Sequence, residues 1–270
     1  MKTILITGTS SGIGKAAAKY FAENGWNVAA TMRNPDKDNE VKNFKNTKVY
    51  SLDVTSAKSI EEAILLADND FGRIDVVVNN AGFAVDGVFE VMTDEVILKQ
   101  FDTNVFGLMR VTRSFIAYFR KKGGGSILQV TSMGGRLAFP LYSIYHSTKW
   151  AVEGFTESLQ YEVKPFNIRM KIIEPGVIKT EFYGTSRHFV KPTEFKDYDT
   201  FVEKCEKVSM EAGNNGENPL IVAAEIFKAA NAKNCKMRYA IGKPAPMLLI
   251  LRKMIPDSWW FKVVGSSYKI

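Results

Sequence analysis

Tyr145 and Lys149 stand four positions apart in Tyr145-His146-Ser147-Thr148-Lys149, so on a helix both side chains leave the same face one turn apart. A phenol titrates at about 10, too high for proton transfer at neutral pH. A neighbouring ammonium favours the phenolate. Tyr145 is therefore a candidate proton donor to, or acceptor from, a substrate oxygen, with Lys149 lowering its pKa. Ser132 lies thirteen residues before the tyrosine, at the end of the apolar run Ile127-Leu128-Gln129-Val130, where its hydroxyl can hydrogen-bond the same oxygen. Taken singly, a tyrosine here is ordinary packing and a serine is an ordinary cap.

A second constellation gives the first its meaning. Gly8-Thr9-Ser10-Ser11-Gly12-Ile13-Gly14 follows the short apolar run Ile4-Leu5-Ile6. Gly8 permits a tight exit from a strand, Gly12 lets backbone approach a pyrophosphate, and Gly14 allows the next helix to pack closely on the sheet. Phosphates would sit at the amino end of that helix, where free N–H groups and the dipole favour negative charge. The spacing is not the generic G-x-G-x-x-G fingerprint. A serine hydrolase would need a base and a nucleophile elbow, but His146 and His188 are the only histidines and no G-x-S-x-G is present.

The elements that must position these residues are legible as alternating patterns. Thr3–Thr7, Asn27–Thr31, Lys48–Leu52, Ile74–Asn79, Ser126–Thr131, Arg169–Ile173 and Arg238–Ile241 read as strands, separated by stretches of helical period. This rhythm predicts an α/β, doubly wound Rossmann fold: a seven-stranded parallel sheet with helices on both faces and ligands at the carboxyl ends of the strands. Gly25 ends the first helix, Pro35 blocks helix after the second strand, and Gly123-Gly124-Gly125 forces a turn before the fifth. We expect one domain over residues 1–270, with a lid at about 181–219 and a helical tail at about 244–264.

With 270 residues and 46% hydrophobic content, the chain can bury a core without staples. Cys205 and Cys235 match no metal-ligand spacing and are expected to be reduced thiols, although one disulfide between them is not required or forbidden. No metal is expected. The net charge of +7 is spread without a basic block, which suits an anionic cofactor and gives no case for nucleic acid. Met1-Lys2-Thr3 leads directly into a strand, and we expect a cytosolic protein.

The combination resembles the short-chain dehydrogenase/reductase family. The resemblance rests on Thr7-Gly8-x3-Gly12-x-Gly14, Asp53-Val54 after the third strand, Asn79-Asn80-Ala81-Gly82 at the end of the fourth, Asn104 in the next helix, Ser132, Tyr145, Lys149, and Pro175-Gly176 with Thr180 beyond the sixth. It covers at least Thr3 to Thr180. It implies hydride transfer, pro-S, between nicotinamide C4 and a substrate carbon, with catalytic roles for Ser132, Tyr145, Lys149 and Asn104. Asn104 would hold a water linking Lys149 to solvent, and Lys149 would hold the nicotinamide ribose. Cofactor contacts are implied at Gly8, Thr9, Ser10, Ser11, Gly12, Ile13, Gly14, Arg33, Asp53, Val54, Asn80, Ala81, Gly82, Tyr145, Lys149, Pro175, Gly176, Val177, Ile178 and Thr180. A homo-oligomer is implied as well.

At the end of the second strand an acid would bind a ribose 2′-OH and a cation a 2′-phosphate. Ala30-Thr31-Met32-Arg33-Asn34 offers Arg33 and no acid before Pro35, which predicts NADP(H). Asp36 keeps NAD(H), with a small carbonyl substrate, as the alternative. Lys37 could add to the positive edge. A non-catalytic nucleotide sensor is the other alternative, but such a protein would lack one of the three reacting residues.

Ser10-Ser11, Ala30-Thr31-Met32-Arg33, the Tyr145–Lys149 segment and Arg238-Tyr239-Ala240-Ile241-Gly242 look most like the family branch of 17β-hydroxysteroid and retinol dehydrogenases. That likeness implies a steroid-like, retinoid-like or other lipophilic ketone or alcohol. Met133-Gly134-Gly135-Arg136-Leu137-Ala138-Phe139-Pro140 would form one pocket wall. Phe182, Tyr183, Phe189, Phe195, Tyr198 and Phe201 of the lid either line the pocket or form the lid's own small core. The tail, Met247 to Val264, sets Leu248, Leu249, Leu251 and Ile255 beside Arg252, Lys253, Trp259, Trp260 and Lys262. It is read as a cover for the pocket or a subunit interface, with peripheral membrane contact as the lesser alternative. The apolar stretch Ala245–Leu251 is too short to span a bilayer.

Overall fold

A computed structural model describes residues 1–37, 40–181, 187–234 and 236–270. The expected parallel sheet is present. Its strands are β1 (Thr3–Thr7), β2 (Asn27–Met32), β3 (Thr47–Ser51), β4 (Val76–Asn79), β6 (Gly125–Val130), β7 (Ile168–Pro175) and β9 (Arg238–Ile241). They lie in the order β3-β2-β1-β4-β6-β7-β9, every neighbouring pair parallel. The order reverses between β1 and β4, so a crevice opens at their carboxyl ends, the usual ligand position in such sheets.

Strand alternation divides the core into two layers. Ile4 and Ile6 pack with Ala17, Phe21, Ala223 and Ile226 from α1 (Gly12–Glu23) and α7 (Pro219–Asn231). Leu5 faces the other side, against Ile60 and Ala63 of α2 (Ala57–Phe71), Phe115 of α4 (Leu108–Lys122) and Leu159 of α5 (Ser143–Val163). Both faces of each central strand are covered, which is why the strands read as continuous apolar runs. Gly25 follows the end of α1 with φ +76°, as its C-terminal role requires.

Three local expectations change. Pro35 does not exclude helix: it opens a single 3₁₀ turn, Pro35–Lys37, a first-turn position where its missing N–H costs nothing. Asn104 is not in a regular helix. It lies in a π-helical turn, Asp102–Gly107, between α3 (Asp94–Phe101) and α4, a distortion that often marks functional sites. Gly107 permits this turn, since a Cβ there would lie 2.7 Å from Val54 Cγ2.

The segment at 181–219 is also more ordered than a loop. It contains strand β8 (Arg187–Val190) and the 16-residue helix α6 (Asp199–Asn214). β8 pairs in parallel with β5 (Ala84–Gly87) in a second, two-stranded sheet. The Arg187 guanidinium grips Asp86 there, with Nη2 2.5 Å from Oδ2 and Nε 3.0 Å from Oδ1. Asp86 is wholly buried, and burial holds its carboxyl above the usual range despite the guanidinium. The chain continues through α8 (Ala245–Met254) and α9 (Asp257–Tyr268).

Such a pair adds little net stability, whereas removing one partner strands a buried charge. Arg187→Met should cost about 3–5 kcal/mol in urea unfolding, and the double variant Asp86→Leu/Arg187→Met should recover most of it. A single variant as stable as the parent would show that the pair does not hold the small sheet.

Candidate active site

The glycine turn is shaped by contacts that tolerate no side chain. Gly8 has φ +72° and a Cβ there would lie 2.9 Å from Ala81 Cα; one at Gly14 would lie 2.2 Å from the Gly8 carbonyl oxygen and 2.5 Å from Asn80 Nδ2. Thr7 locks β1 to β4: its hydroxyl accepts the Asn80 and Ala81 N–H groups at 3.0 and 3.1 Å. Asn80 Nδ2 in turn donates to the Thr7 and Gly8 carbonyls. Thr9 is buried, with its hydroxyl on the Thr31 carbonyl, while Ser10 is exposed. Ser11 gives α1 no side-chain cap and the first turn holds no acid. The free N–H groups and the dipole of α1 therefore face the turn, an arrangement that can accept phosphate oxygens.

The other implied contacts ring the same sheet edge. Arg33, at the end of β2, is exposed and makes no ion pair among the described residues. Asp53 accepts the Thr55 N–H and hydroxyl at 2.9 and 2.8 Å, closing a turn. Val54 is buried in the core. Gly82 touches Asn104, and Gly176 is pressed by the Gly242 and Lys243 carbonyls, where a Cβ would sit at 2.5 and 2.6 Å. Val177 donates to the Lys243 carbonyl and accepts from Glu217, which aligns Pro175–Thr180 along the crevice. Gly12 faces Thr180 across it.

Tyr145 and Lys149 project from α5 towards the end of β6. The Lys149 ammonium donates to the Val130 carbonyl at 3.0 Å and lies 5.7 Å from the centre of the Tyr145 ring. The Ser132 hydroxyl hydrogen-bonds the Tyr145 phenol and accepts the Gly134 N–H at 3.0 Å. Burial dominates the electrostatics. It raises the phenol of Tyr145, only partly offset by Ser132, and pushes Lys149 down to about 8, partly offset by Glu153. The expectation that Lys149 lowers the tyrosine is thus not what governs the chain by itself: desolvation favours the neutral form of both groups. Asn104 contacts α5 directly at Thr148. Its Nδ2 donates to the Phe83 carbonyl at 2.9 Å and to Thr148 Oγ1 at 3.3 Å, and its Oδ1 accepts the Phe83 N–H.

A cavity of about 410 Å³ opens from this wall. Ser132, Tyr145, Ile13 and Pro175–Ile178 line one end, and Leu248, Trp260, Val264 and Tyr268 of the tail line another part. Met133, Gly134 and Phe139 contribute as expected, whereas Leu137 turns into the core. Neither expectation for the lid aromatics holds: Phe189, Tyr198 and Phe201 join a larger cluster with Leu137, Cys205 and the tail residues Leu249, Trp260 and Val264, Phe195 is exposed, and none of the four lines the cavity. Phe182 and Tyr183 lie outside the described residues, as does Cys235. From the 181–219 segment the cavity wall takes Ser209 and Ala212 of α6. Cys205 is a free, buried thiol. No metal-binding cluster occurs among the described residues.

Comparison with known proteins decides the family. The family model for short chain dehydrogenase matches residues 2–191. The chain belongs to the short-chain dehydrogenase family. It is an oxidoreductase acting on CH–OH and C=O groups. The chain is 36% identical over 276 residues to the uncharacterized oxidoreductase YusZ of Bacillus subtilis, covering 98% of each. It is 33% identical over 269 residues to the 3-ketodihydrosphingosine reductase of Bacteroides thetaiotaomicron (99% and 98% covered). It is 29% identical over 279 residues to the NADPH-dependent 3-dehydrocapnine reductase of Ornithobacterium rhinotracheale (100% and 98%). Among solved structures, a short-chain dehydrogenase from Streptomyces avermitilis superposes with TM-score 0.81 at 31% identity (99% and 100%). ElxO with NADP bound does so at 0.72 and 28% (89% and 96%). The likeness to the 17β-hydroxysteroid and retinol branch has no counterpart among these relatives.

Sequence reasoning passed over several groups that shape the dehydrogenase's site. Glu153, one turn beyond Lys149, is buried and accepts the Thr131 hydroxyl at 2.7 Å. Arg238 of β9 contacts it, and reaches Glu157 and Glu174 as well. Burial pushes Glu153 up to about 7 against the pull of Thr131 and the two arginines, Arg238 and Arg136. His146 lines the cavity, and its Nδ1 accepts the Phe139 N–H, leaving the proton on Nε2 of a neutral ring. Burial takes it down to about 4, so it stays neutral at physiological pH. The spacing Lys149-x3-Glu153 was the available signal for the first; nothing local marked the second.

Lys149 titrates at about 8 in the folded chain against an ordinary 10.5. Between these values the unfolded chain binds more protons, so stability attributable to this group rises with pH through that window. The gain should be on the order of 3 kcal/mol. Lys149→Met should be more stable than the parent at pH 7 and should lose this rise, measured by urea unfolding at pH 7, 8 and 10. Parallel profiles for the two proteins would contradict the burial cost.

Proposed function

We propose that this protein is an NADPH-dependent reductase of a ketone carried on a long-chain lipid. The apolar wall of the cavity runs from the Ser132–Tyr145 pair to the tail helices. Such a space suits an extended hydrophobic chain with its one polar centre at the serine and tyrosine. Two full-length relatives, the reductases of 3-ketodihydrosphingosine and 3-dehydrocapnine, act on 3-oxo compounds by their names. NADPH and NADP are named for one relative and one solved structure.

The cofactor supplies a hydride at nicotinamide C4. Gly8, Thr9, Ser10, Ser11, Gly12, Ile13 and Gly14 would hold its pyrophosphate on the amino end of α1. Asn80, Ala81 and Gly82 would line its path, Asp53 and Val54 the adenine end, and Pro175 to Ile178 with Thr180 the nicotinamide end. Arg33, with no ion pair among the described residues, supports a 2′-phosphate, which it would meet with a charge-assisted fork. On the substrate side, Ser132 donates a hydrogen bond to the ketone oxygen, and Tyr145 passes it the phenolic proton. The raised phenol is protonated at neutral pH, the form that reduction requires. Lys149 lies beside the phenol and would hold the cofactor ribose, and Asn104 fixes that stretch of α5 through Thr148.

Tyr145→Phe should bind NADPH normally and lose turnover by about 10²–10⁴-fold; retained turnover would remove the tyrosine from the chemistry. Arg33→Asp should raise the NADPH KM by about tenfold or more with little change for NADH. Equal use of both cofactors by the parent would end the 2′-phosphate reading. NADPH oxidation with 3-oxo lipids of graded chain length should show kcat/KM rising with length. A flat dependence would separate the cavity from substrate choice.

A further inference from the structure

Helices α8 and α9 close the cavity with one face and leave another uncovered. On α8, Ala245 and Leu249 are buried and Leu248 lines the cavity. Met247, Ile250 and Met254, at i, i+3 and i+7, share a different face and are 65%, 61% and 76% exposed. On α9, Trp260 and Val264 turn inward while Trp259 and Phe261 are 65% and 64% exposed. Among the described residues, seven of the eighteen large exposed apolar side chains fall in the 24 residues from Met247 to Ile270. That concentration distinguishes them from the singly scattered residues any surface carries.

The tail segment itself is predominantly basic. Lys243–Ile270 carries Lys243, Arg252, Lys253, Lys262 and Lys269 against the single acid Asp257, and that acid is paired with Arg252. Lys253 and Lys262 are exposed beside the apolar residues. Exposed tryptophan and phenylalanine flanked by lysines, on helices too short to span, is the composition of a helix lying in a bilayer interface. No helix among the described residues is long and apolar enough to cross a membrane. The outer face is also continuous with the cavity, because Val263 both lines it and is 44% exposed.

We propose that α8 and α9 form an interfacial docking surface for an anionic lipid bilayer, set so that a lipid substrate passes from the membrane into the cavity beside Val263. The substrate clause rests on the reductase reading above; the docking surface does not. Apolar side chains would enter the acyl boundary while Lys253 and Lys262 meet lipid phosphates.

The test is co-sedimentation of the full chain with phosphatidylcholine vesicles, with and without about one-third phosphatidylglycerol; binding should be about tenfold stronger with the anionic lipid and weaken in high salt. The double variant Ile250→Glu/Trp259→Glu should lose this binding. Its melting temperature and its NADPH oxidation with a short, water-soluble ketone should match the parent, since neither residue lines the cavity. With a lipid ketone delivered in vesicles, its KM should rise by about tenfold. Failure of the parent to sediment with anionic vesicles, or full binding by the variant, would overturn the proposal. So would a parent dimer, seen by light scattering, that the double variant dissociates, because a second copy would then cover this face. Vesicle binding without reduction of any lipid ketone would leave the surface standing and refute the substrate reading. Reduction in detergent without vesicle binding would do the reverse.

Discussion

The buried ammonium of Lys149 is the constraint around which this end of the sheet is organised. A cation removed from water is costly unless fixed partners replace its hydration. The Val130 carbonyl is one such partner, presented by the last residue of β6. Glu153 supplies opposite charge one turn along the same helix, itself held by Thr131 and Arg238. Arg238 belongs to the edge strand β9, so the charge network joins the far side of the sheet to α5. On the near side, Asn104 clips the loop after β4 to Thr148. Tyr145 sits between these two anchors, buried and protonated, with Ser132 against its oxygen.

The same sheet edge carries the second requirement, a close approach of backbone to phosphate. Gly14 lies so near the Gly8 carbonyl and Asn80 that α1 can begin only where it does. Thr7 then ties this turn to the loop that Asn104 holds. The nucleotide cradle and the proton-transferring wall are thus one connected body, not two motifs on separate elements. The opposite wall is completed by α6, α8 and α9, through Ser209, Leu248 and Trp260.

Much of this was legible in the chain. The seven strands of the main sheet followed from apolar runs with buried faces on both sides, and the site residues from fixed spacings: Gly8 to Gly14, Tyr145 to Lys149. What escaped had no local signature. Ala84-Val85-Asp86-Gly87 was not among the expected strands, Asp86 and Gly87 being poor strand formers; its partner β8, whose Arg187 grips Asp86, lies about one hundred residues away. The π turn at Asp102–Gly107 depends on Val54 packing against Gly107. Helix α6 hides its inner face behind Cys205, Ser209 and Gly213, small or polar residues that give little periodic signal. The lid aromatics could line the pocket or form a core of their own by sequence; Phe189, Tyr198 and Phe201 instead join a cluster with Leu137 and the tail helices, a long-range contact that no local pattern marks.

In the proposed reaction, hydride and proton reach one ketone carbon and its oxygen at the Ser132–Tyr145 wall. Turnover of a long-chain 3-oxo lipid with NADPH deuterated at the pro-S position of C4 tests this directly, by mass spectrometry of the alcohol. One deuterium should appear on the carbinol carbon, and none when the label is pro-R. An unlabelled alcohol from the pro-S cofactor, or transfer from the pro-R position, would contradict it.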